Sequence, residues 1–261
     1  MSARYTYGDS DVATERLCLV AEVFEPTTRA FLRRAELENP RLALDLGCGP
    51  GCDDEELGRA GYYVTAIDWS PAMVDEARRR IRLAELEDRV EVHHLGIHEL
   101  DRLPPALFEA ACSNFGPLNC VPSLPDAARL IGERLRPGGV LIASVIGRVC
   151  PWEIALYVLR GDWTRLRIRF ARDLVAVPLN GGTVWTRYYT PAAFAQTFAA
   201  AGFARVSLRA LGLFVPPPYM QAFAGRHPSL MARLQSLEDR FGDSPGLRGW
   251  GDHFLMVLRK A

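Results

Sequence analysis

Leu42 to Gly51 reads LALDLGCGPG, an apolar run that carries Asp45 and is followed by glycines at 47, 49 and 51. Glycines so spaced let the chain turn tightly and let a ligand approach the backbone with no Cβ in the way. Asp45 brings a carboxylate to the same place. A second apolar run, YYVTAID, ends in Asp68, whose carboxylate can accept hydrogen bonds from both hydroxyls of a ribose. Trp69 beside it offers a flat face to a base. From the residues alone, Asp68 and Ser70 also read as capping groups of the helix that follows.

The spacing is G-x-G-x-G and not the G-x-G-x-x-G of dinucleotide folds, because Cys52 stands where the last glycine would be. Asp53, Asp54, Glu55 and Glu56 then crowd the start of the next helix, where they repel a pyrophosphate. A nicotinamide or flavin cofactor is disfavoured, whereas a sulfonium nucleoside meets no such objection.

Candidates for acid–base work lie further along. His253, in GDHF, has the titration range of a general base, or is a histidine satisfied by Asp252. Tyr188 and Tyr189 precede Thr190, and of two adjacent strand residues one normally faces away. His93, His94 and His98 form an HHxxxH pattern, but hard divalent metals prefer oxygen ligands, so no metal is expected. Arg160, Arg165, Arg167, Arg169 and Arg172 either meet an acidic acceptor or, the plainer reading, form a solvated face. Trp152, Trp163, Phe214 and Tyr219 are candidates to roof a closed pocket.

Strands are expected at Arg41 to Leu46, Tyr63 to Asp68, Val90 to Leu95, Glu109 to Asn114 and Val140 to Ile146, each a short apolar run between turn signals. Helices are expected between them: Asp53 to Ala60, Pro71 to Leu86 behind the Ser70 cap, and Asp126 to Leu135, stopped by Pro137, Gly138 and Gly139. Such alternation favours right-handed crossovers and a parallel sheet covered on both faces. Residues 1–40 read as a helical lead-in, and 150–189 and 216–245 as cap-like insertions in a single domain. A helix at Pro191 to Ala201 and strands at Ala204 to Leu213 and His253 to Leu258 complete the chain.

With 31 basic and 31 acidic residues the net charge is zero, which offers no general attraction to nucleic acid, and none is expected as a partner. No apolar run is long enough for a membrane span or a secretory signal, so a cytoplasmic protein without a membrane partner is expected. The six cysteines form no CxxC pair, and most of them read as small buried residues. Oligomeric state is not legible.

In order along the chain, DLGCGPG, VTAIDWSPAMVDEAR, FEAACSNFGPLN and LRPGGVLIASVIG resemble the segments of the class I S-adenosylmethionine (SAM) dependent methyltransferases, in their small-molecule branch. The resemblance covers Arg41 to Gly147. It implies a Rossmann-like α/β sandwich: a mostly parallel seven-stranded sheet with an antiparallel last strand and helical insertions after strands 5 and 6. It further implies SAM at the carboxyl ends of the strands. Gly47, Cys48 and Gly49 would line the methionine moiety with Asp45 near its ammonium, Asp68 would hold the ribose, and Trp69 and Met73 would flank adenine. Asn114 and Phe115 would lie beside the methionine and methyl portions. The family usually continues its third strand with Gly-Asp; here Gly96 is followed by Ile97 and His98, which leaves the backbone of that turn to meet the adenine ring. The implied activity is methyl transfer to O, N or C of a small-molecule acceptor, plausibly a natural-product intermediate, with S-adenosylhomocysteine as product. An RNA or protein methyltransferase and a non-catalytic SAM-binding module are the alternatives.

Overall fold

The structure is a computed structural model that describes residues 42–179, 182–217 and 220–261. The expected lead-in over residues 1–40 and the proposed roof residue Tyr219 lie outside the described residues. Strands β1 (Leu42–Leu46), β2 (Tyr63–Asp68), β3 (Val90–His94), β4 (Phe108–Ser113) and β5 (Leu135–Ile146) alternate with helices α1 (Cys52–Arg59), α2 (Pro71–Leu83) and α3 (Leu124–Arg134). After β5 come α4 (Pro151–Leu159), α5 (Trp163–Ile168), a hairpin of β6 (Val175–Leu179) and β7 (Gly182–Thr186), and α6 (Pro191–Ala200). Then β8 (Phe203–Leu211), α7 (Gln221–Arg226), α8 (Pro228–Phe241) and β9 (His253–Lys260) follow.

Seven strands form one sheet in the order β3-β2-β1-β4-β5-β9-β8. β1 to β5 pair in parallel, and β9 runs antiparallel to both β5 and β8. The order reverses between β1 and β4, so the carboxyl ends of these two strands flank a crevice that no crossover covers. Helices on both faces explain why the strands read as nearly continuous apolar runs: Ala43, Leu44 and Leu46 are all buried in β1. One face packs the rings of Phe194, Phe198, Phe203 and Phe254, and the other packs Val64, Val74, Ala77 and Ile81.

Sequence and structure differ at several element bounds: α2 ends at Leu83 before the expected Leu86, β5 begins at Leu135 ahead of the expected Val140, and β8 ends at Leu211 before the expected Leu213. α3 begins at Leu124, not Asp126, because Ser123 is the cap: its Oγ accepts the Asp126 N–H, and Pro125 is tolerated in the first turn. The insertion after β5 also carries the two-stranded sheet β6-β7 beside its helices.

That insertion is pinned by one side chain. Arg169, only 6% exposed, contacts both Glu153 oxygens, the Asp252 carboxylate and the carbonyls of Gly147 and Asp252. It therefore departs from the solvated face expected of its neighbours, since Arg160, Arg165, Arg167 and Arg172 are exposed. Buried Glu238 of α8 similarly accepts the N–H groups of Leu213, Phe214 and Val215, which ties α8 to the chain leaving β8. No helix among the described residues is long and apolar enough to cross a membrane.

Candidate functional site

A cavity of about 360 Å³ opens at the carboxyl ends of β1, β2 and β4, a size usual for small-molecule sites. It is lined by the glycine loop after β1, the ends of β2 and β4, the turn after β3 and the β6-β7 hairpin.

The glycine loop is held by backbone geometry. The N–H groups of Gly47 and Cys48 both donate to the Ile67 carbonyl, at 2.8 and 3.0 Å. Gly47 has φ +84°, and a Cβ there would meet the Pro117 ring at 2.5 Å. Gly51 has φ +78° and would press a Cβ to 3.1 Å from the Cα of Ala77 in α2. A side chain at either position is strained twice, by conformation and by contact.

Asp68 ties this loop to β2. Its Oδ2 accepts the Gly49 N–H at 2.9 Å and its Oδ1 the Ser70 N–H at 2.8 Å, while Ser70 caps α2. The capping reading and the binding reading are thus compatible, because a carboxylate has lone pairs beyond these two bonds. Burial raises the Asp68 pKa, against the pull of the Ser70 and Gly49 N–H groups.

Asp45 lines the cavity with its Oδ2 buried and without a partner. Burial first, then the charge of Asp53, pushes its pKa up to about 7. The four acids that follow the loop do not form one repelling patch. Asp53 accepts from Asn114 Nδ2 at 2.8 Å, Asp54 turns inward, and Glu55 pairs with Arg59 and with Arg80.

Trp69, Gly96, Ile97 and His98 line another part of the cavity. The His98 ring lies 5.0 Å from that of Trp69 and so close over Gly96 that a Cβ there would meet it at 2.4 Å. The three histidines of HHxxxH take separate partners: His94 Nε2 lies 2.9 Å from the Trp69 carbonyl, His93 faces Glu91, and His98 packs on Trp69. Asn114 and Phe115 close the β4 end, where Phe115 takes φ 60°, a conformation rare for a bulky residue and a mark of a constrained site.

All twelve residues expected around the cofactor (Asp45, Gly47, Cys48, Gly49, Asp68, Trp69, Met73, Gly96, Ile97, His98, Asn114 and Phe115) open on this one cavity. The two candidate acid–base residues do not line it. Tyr188 is buried beneath the Arg169 guanidinium, 5.4 Å from its ring centre, and burial pushes its pKa up to about 12. His253 Nδ1 lies 3.2 Å from Asp252, whose own pKa is lowered by His253 and Arg169 despite complete burial.

Nor do Trp152, Trp163 and Phe214 form the roof. Trp152 Nε1 donates to the Phe214 carbonyl at 2.9 Å, and Trp163 is exposed. Leu174, Thr183, Val184 and Trp185 of the hairpin region line the cavity instead, as do Cys120, Val121 and Pro122. Asn119 sets that hairpin in place: its Nδ2 donates to the carbonyls of Ile146 and Arg187, and its Oδ1 accepts the Ile146 N–H. The missed signal was Asn180-Gly181 between two alternating runs, a strong hairpin sequence. No disulfide joins the five described cysteines, of which Cys48, Cys52 and Cys120 line the cavity.

Comparison with known proteins agrees with this geometry. A methyltransferase domain family matches residues 43–139. The ubiquinone biosynthesis O-methyltransferase of Xylella fastidiosa (strain 9a5c) is 36% identical over 122 residues, 44% of this chain and 46% of that protein. Its counterpart in Xanthomonas euvesicatoria pv. vesicatoria (strain 85-10) is 35% identical over 133 residues, 50% of this chain and 52% of that protein. The chain thus spans about half the length of these relatives. Among solved structures, an S-adenosylmethionine dependent methyltransferase from Mesorhizobium loti superposes with a TM-score of 0.57 at 18% identity, covering 91% of this chain and 97% of that one. Residues 43–139 therefore match a methyltransferase domain family, and the described sheet has the fold of that S-adenosylmethionine dependent methyltransferase.

Proposed function

We propose that the protein binds SAM in this cavity and transfers a methyl group from it to O, N or C of a small molecule. The observation that carries this reading is Asp45, a buried carboxylate with an unpartnered oxygen, which lines the cavity beside a glycine loop at the switch point of the sheet. A buried carboxylate is costly without a counter-charge, and the ammonium of the methionine moiety would supply one. Asp68 would accept the ribose hydroxyls, Trp69 and Met73 would hold the adenine, and the backbone of Gly96 to His98 would meet its edge. Gly47, Cys48 and Gly49, with Asn114 and Phe115, would surround the methionine portion. When bound, SAM supplies an activated methyl carbon on a sulfonium.

The rest of the work falls to shape. In-line displacement needs the acceptor aligned and water excluded, and a base is required only where the acceptor must lose a proton. The hairpin of β6 and β7 would cover the acceptor, with Trp185 at the rim and Val184 inside, so residues 150–189 act as a cap and 216–245 as its support. An apolar chamber of this kind suits a neutral acceptor better than a charged one. His253 and Tyr188 are assigned to holding the cap and not to proton transfer, since both belong to the Arg169 cluster. The names of the ubiquinone biosynthesis relatives support a small-molecule acceptor, and the zero net charge argues against a nucleic-acid substrate.

Calorimetry with SAM and S-adenosylhomocysteine tests the first half, and absence of binding would end it. Incubation of metabolite extracts with deuterated-methyl SAM tests the second by mass shift. Binding without any methylated product would leave a binding module.

A further inference from the structure

Beneath the glycine loop lies an arrangement that cofactor binding does not by itself require. Asp54, in the first turn of α1, is completely buried, and neither of its carboxyl oxygens has a hydrogen-bond partner. It faces Asp45, near the end of β1, within hydrogen-bonding reach. Asp45 is 2% exposed, and its Oδ2 is unpartnered as well. Two carboxylates in such contact in a dry interior cannot both stay ionised, so one of them carries a proton. The titratable groups that bear most on the pair are Asp53 on α1, Asp68 on β2, Cys112 on β4 and Cys48 in the loop. All are acids or thiols, and Asp53 is engaged by Asn114.

Burial and topology decide where the proton sits. Asp45 opens on the cavity, where a ligand can compensate a negative charge, whereas Asp54 is sealed behind it and does not line the cavity. We propose that Asp54 is a positioning residue: held protonated beneath the glycine loop, it donates a hydrogen bond to Asp45 and so presents that carboxylate, as the single charge of the pair, to the ammonium of the cofactor. This rests on the reading that the cavity takes SAM.

A pH dependence follows. Burial, then Asp53, brings Asp45 up to about 7, and burial, then Asp45, holds Asp54 well above the carboxylate range. Below that value Asp45 is protonated in the empty protein and must release its proton to receive an ammonium. Affinity therefore falls about tenfold for each pH unit below neutrality, and binding liberates a proton there. Above it Asp45 is already ionised and no proton is released.

The test is calorimetric titration with S-adenosylhomocysteine, which keeps the ammonium, at several pH values between about 5.5 and 8.5 in two buffers of unlike ionisation heat. The wild type is expected to release close to one proton at the acid end and none at the alkaline end. Asp54→Asn retains an N–H donor and, like the protonated Asp54, carries no charge, so it should keep alkaline affinity within about threefold and leave the pH dependence of binding in place. Asp54→Leu removes the donor and should bind about tenfold more weakly or worse at alkaline pH. A purely structural role would make the two variants alike. The unliganded protein gives a second reading by carbon-13 NMR of its aspartate carboxyls. One carboxyl should remain protonated through neutrality and vanish in Asp54→Asn. Binding with a flat pH profile, or carboxyls that all titrate in the ordinary range, overturns this proposal alone. Absence of binding by the wild type at every pH overturns the cofactor reading on which it rests.

Discussion

Asp45 and Asp252 are both buried aspartates at the carboxyl-end rim of the same sheet, and their electrostatics run in opposite directions. Burial, then Asp53, pushes Asp45 up to about 7, while His253 and Arg169 hold Asp252 well below the carboxylate range against an equal burial. The difference is the counter-ion. Asp252 has its cation built in, Arg169, which also joins Glu153 and two backbone carbonyls and so locks the insertion to the sheet. Asp45 has neighbouring acids and thiols, and one oxygen without a partner on a cavity. A buried carboxylate whose charge is satisfied within the chain holds the fold together. One whose charge is left open is poised for a ligand that brings the cation.

The largest effect that can break this contrast is removal of the built-in cation. Arg169→Met takes the guanidinium away from Glu153 and from buried Asp252, and such a loss costs about 3–5 kcal/mol. Urea denaturation should show it. A loss below about 1 kcal/mol would mean the cluster relaxes to solvent and is no lock. The next effect belongs to the open side. Asp68→Ala should weaken S-adenosylhomocysteine binding by about 1.5–3 kcal/mol through loss of a charge-assisted ribose contact, as read by calorimetry. Unchanged affinity would remove Asp68 from the site.

The same two regions differ in how legible they were. The cofactor end is written in local signals: LALDLGCGPG states an apolar strand, an acid and a glycine turn within ten residues, and Ser70-Pro71 opens α2 as a cap should. Those features are backbone constraints, and backbone constraints leave residue types behind. Arg169 leaves no such trace, because it looks like the exposed arginines around it until Glu153 and Asp252, far apart in sequence, close on it. The Asp45–Asp54 contact was hidden for the same reason. Four consecutive acids read together as a helix start that repels a pyrophosphate, and only the folded chain turns one of them inward. The hairpin roof is a different case, since Asn180-Gly181 was present and was outweighed by the tryptophans nearby.

A third measurement sharpens the contrast through pH. A carboxyl whose folded pKa is raised stabilises the fold below its unfolded value and loses that contribution as pH rises. The unliganded protein should therefore lose up to about 1.4 kcal/mol per pH unit for one such proton between about pH 4 and neutrality. Asp252 works the other way: its contribution is present above the ordinary carboxylate range and is lost only as pH falls well below it. In Arg169→Met the Asp252 pKa should move upward, and the downward slope toward neutrality should steepen. Asp54→Asn should flatten it. Denaturation midpoints across this range decide, and a slope unmoved by either substitution would sink the assignment of these charges.

The smallest effect separates the two ends of the cavity. Trp185, on β7, lines the cavity while remaining 56% exposed, as a rim residue does. It sits on a hairpin tied at Arg187 to Asn119, whereas the glycine loop is tied to Asp68. Trp185→Ala should therefore leave S-adenosylhomocysteine affinity within about 0.5 kcal/mol of the wild type, the range of a surface change. Its effect should fall on the acceptor: a higher KM with less change in kcat, because a wall that binds the acceptor equally in ground and transition states contributes to affinity and not to rate. A loss of cofactor binding instead would mean that hairpin and glycine loop share one ligand, and the division of the cavity into two ends would have to be abandoned.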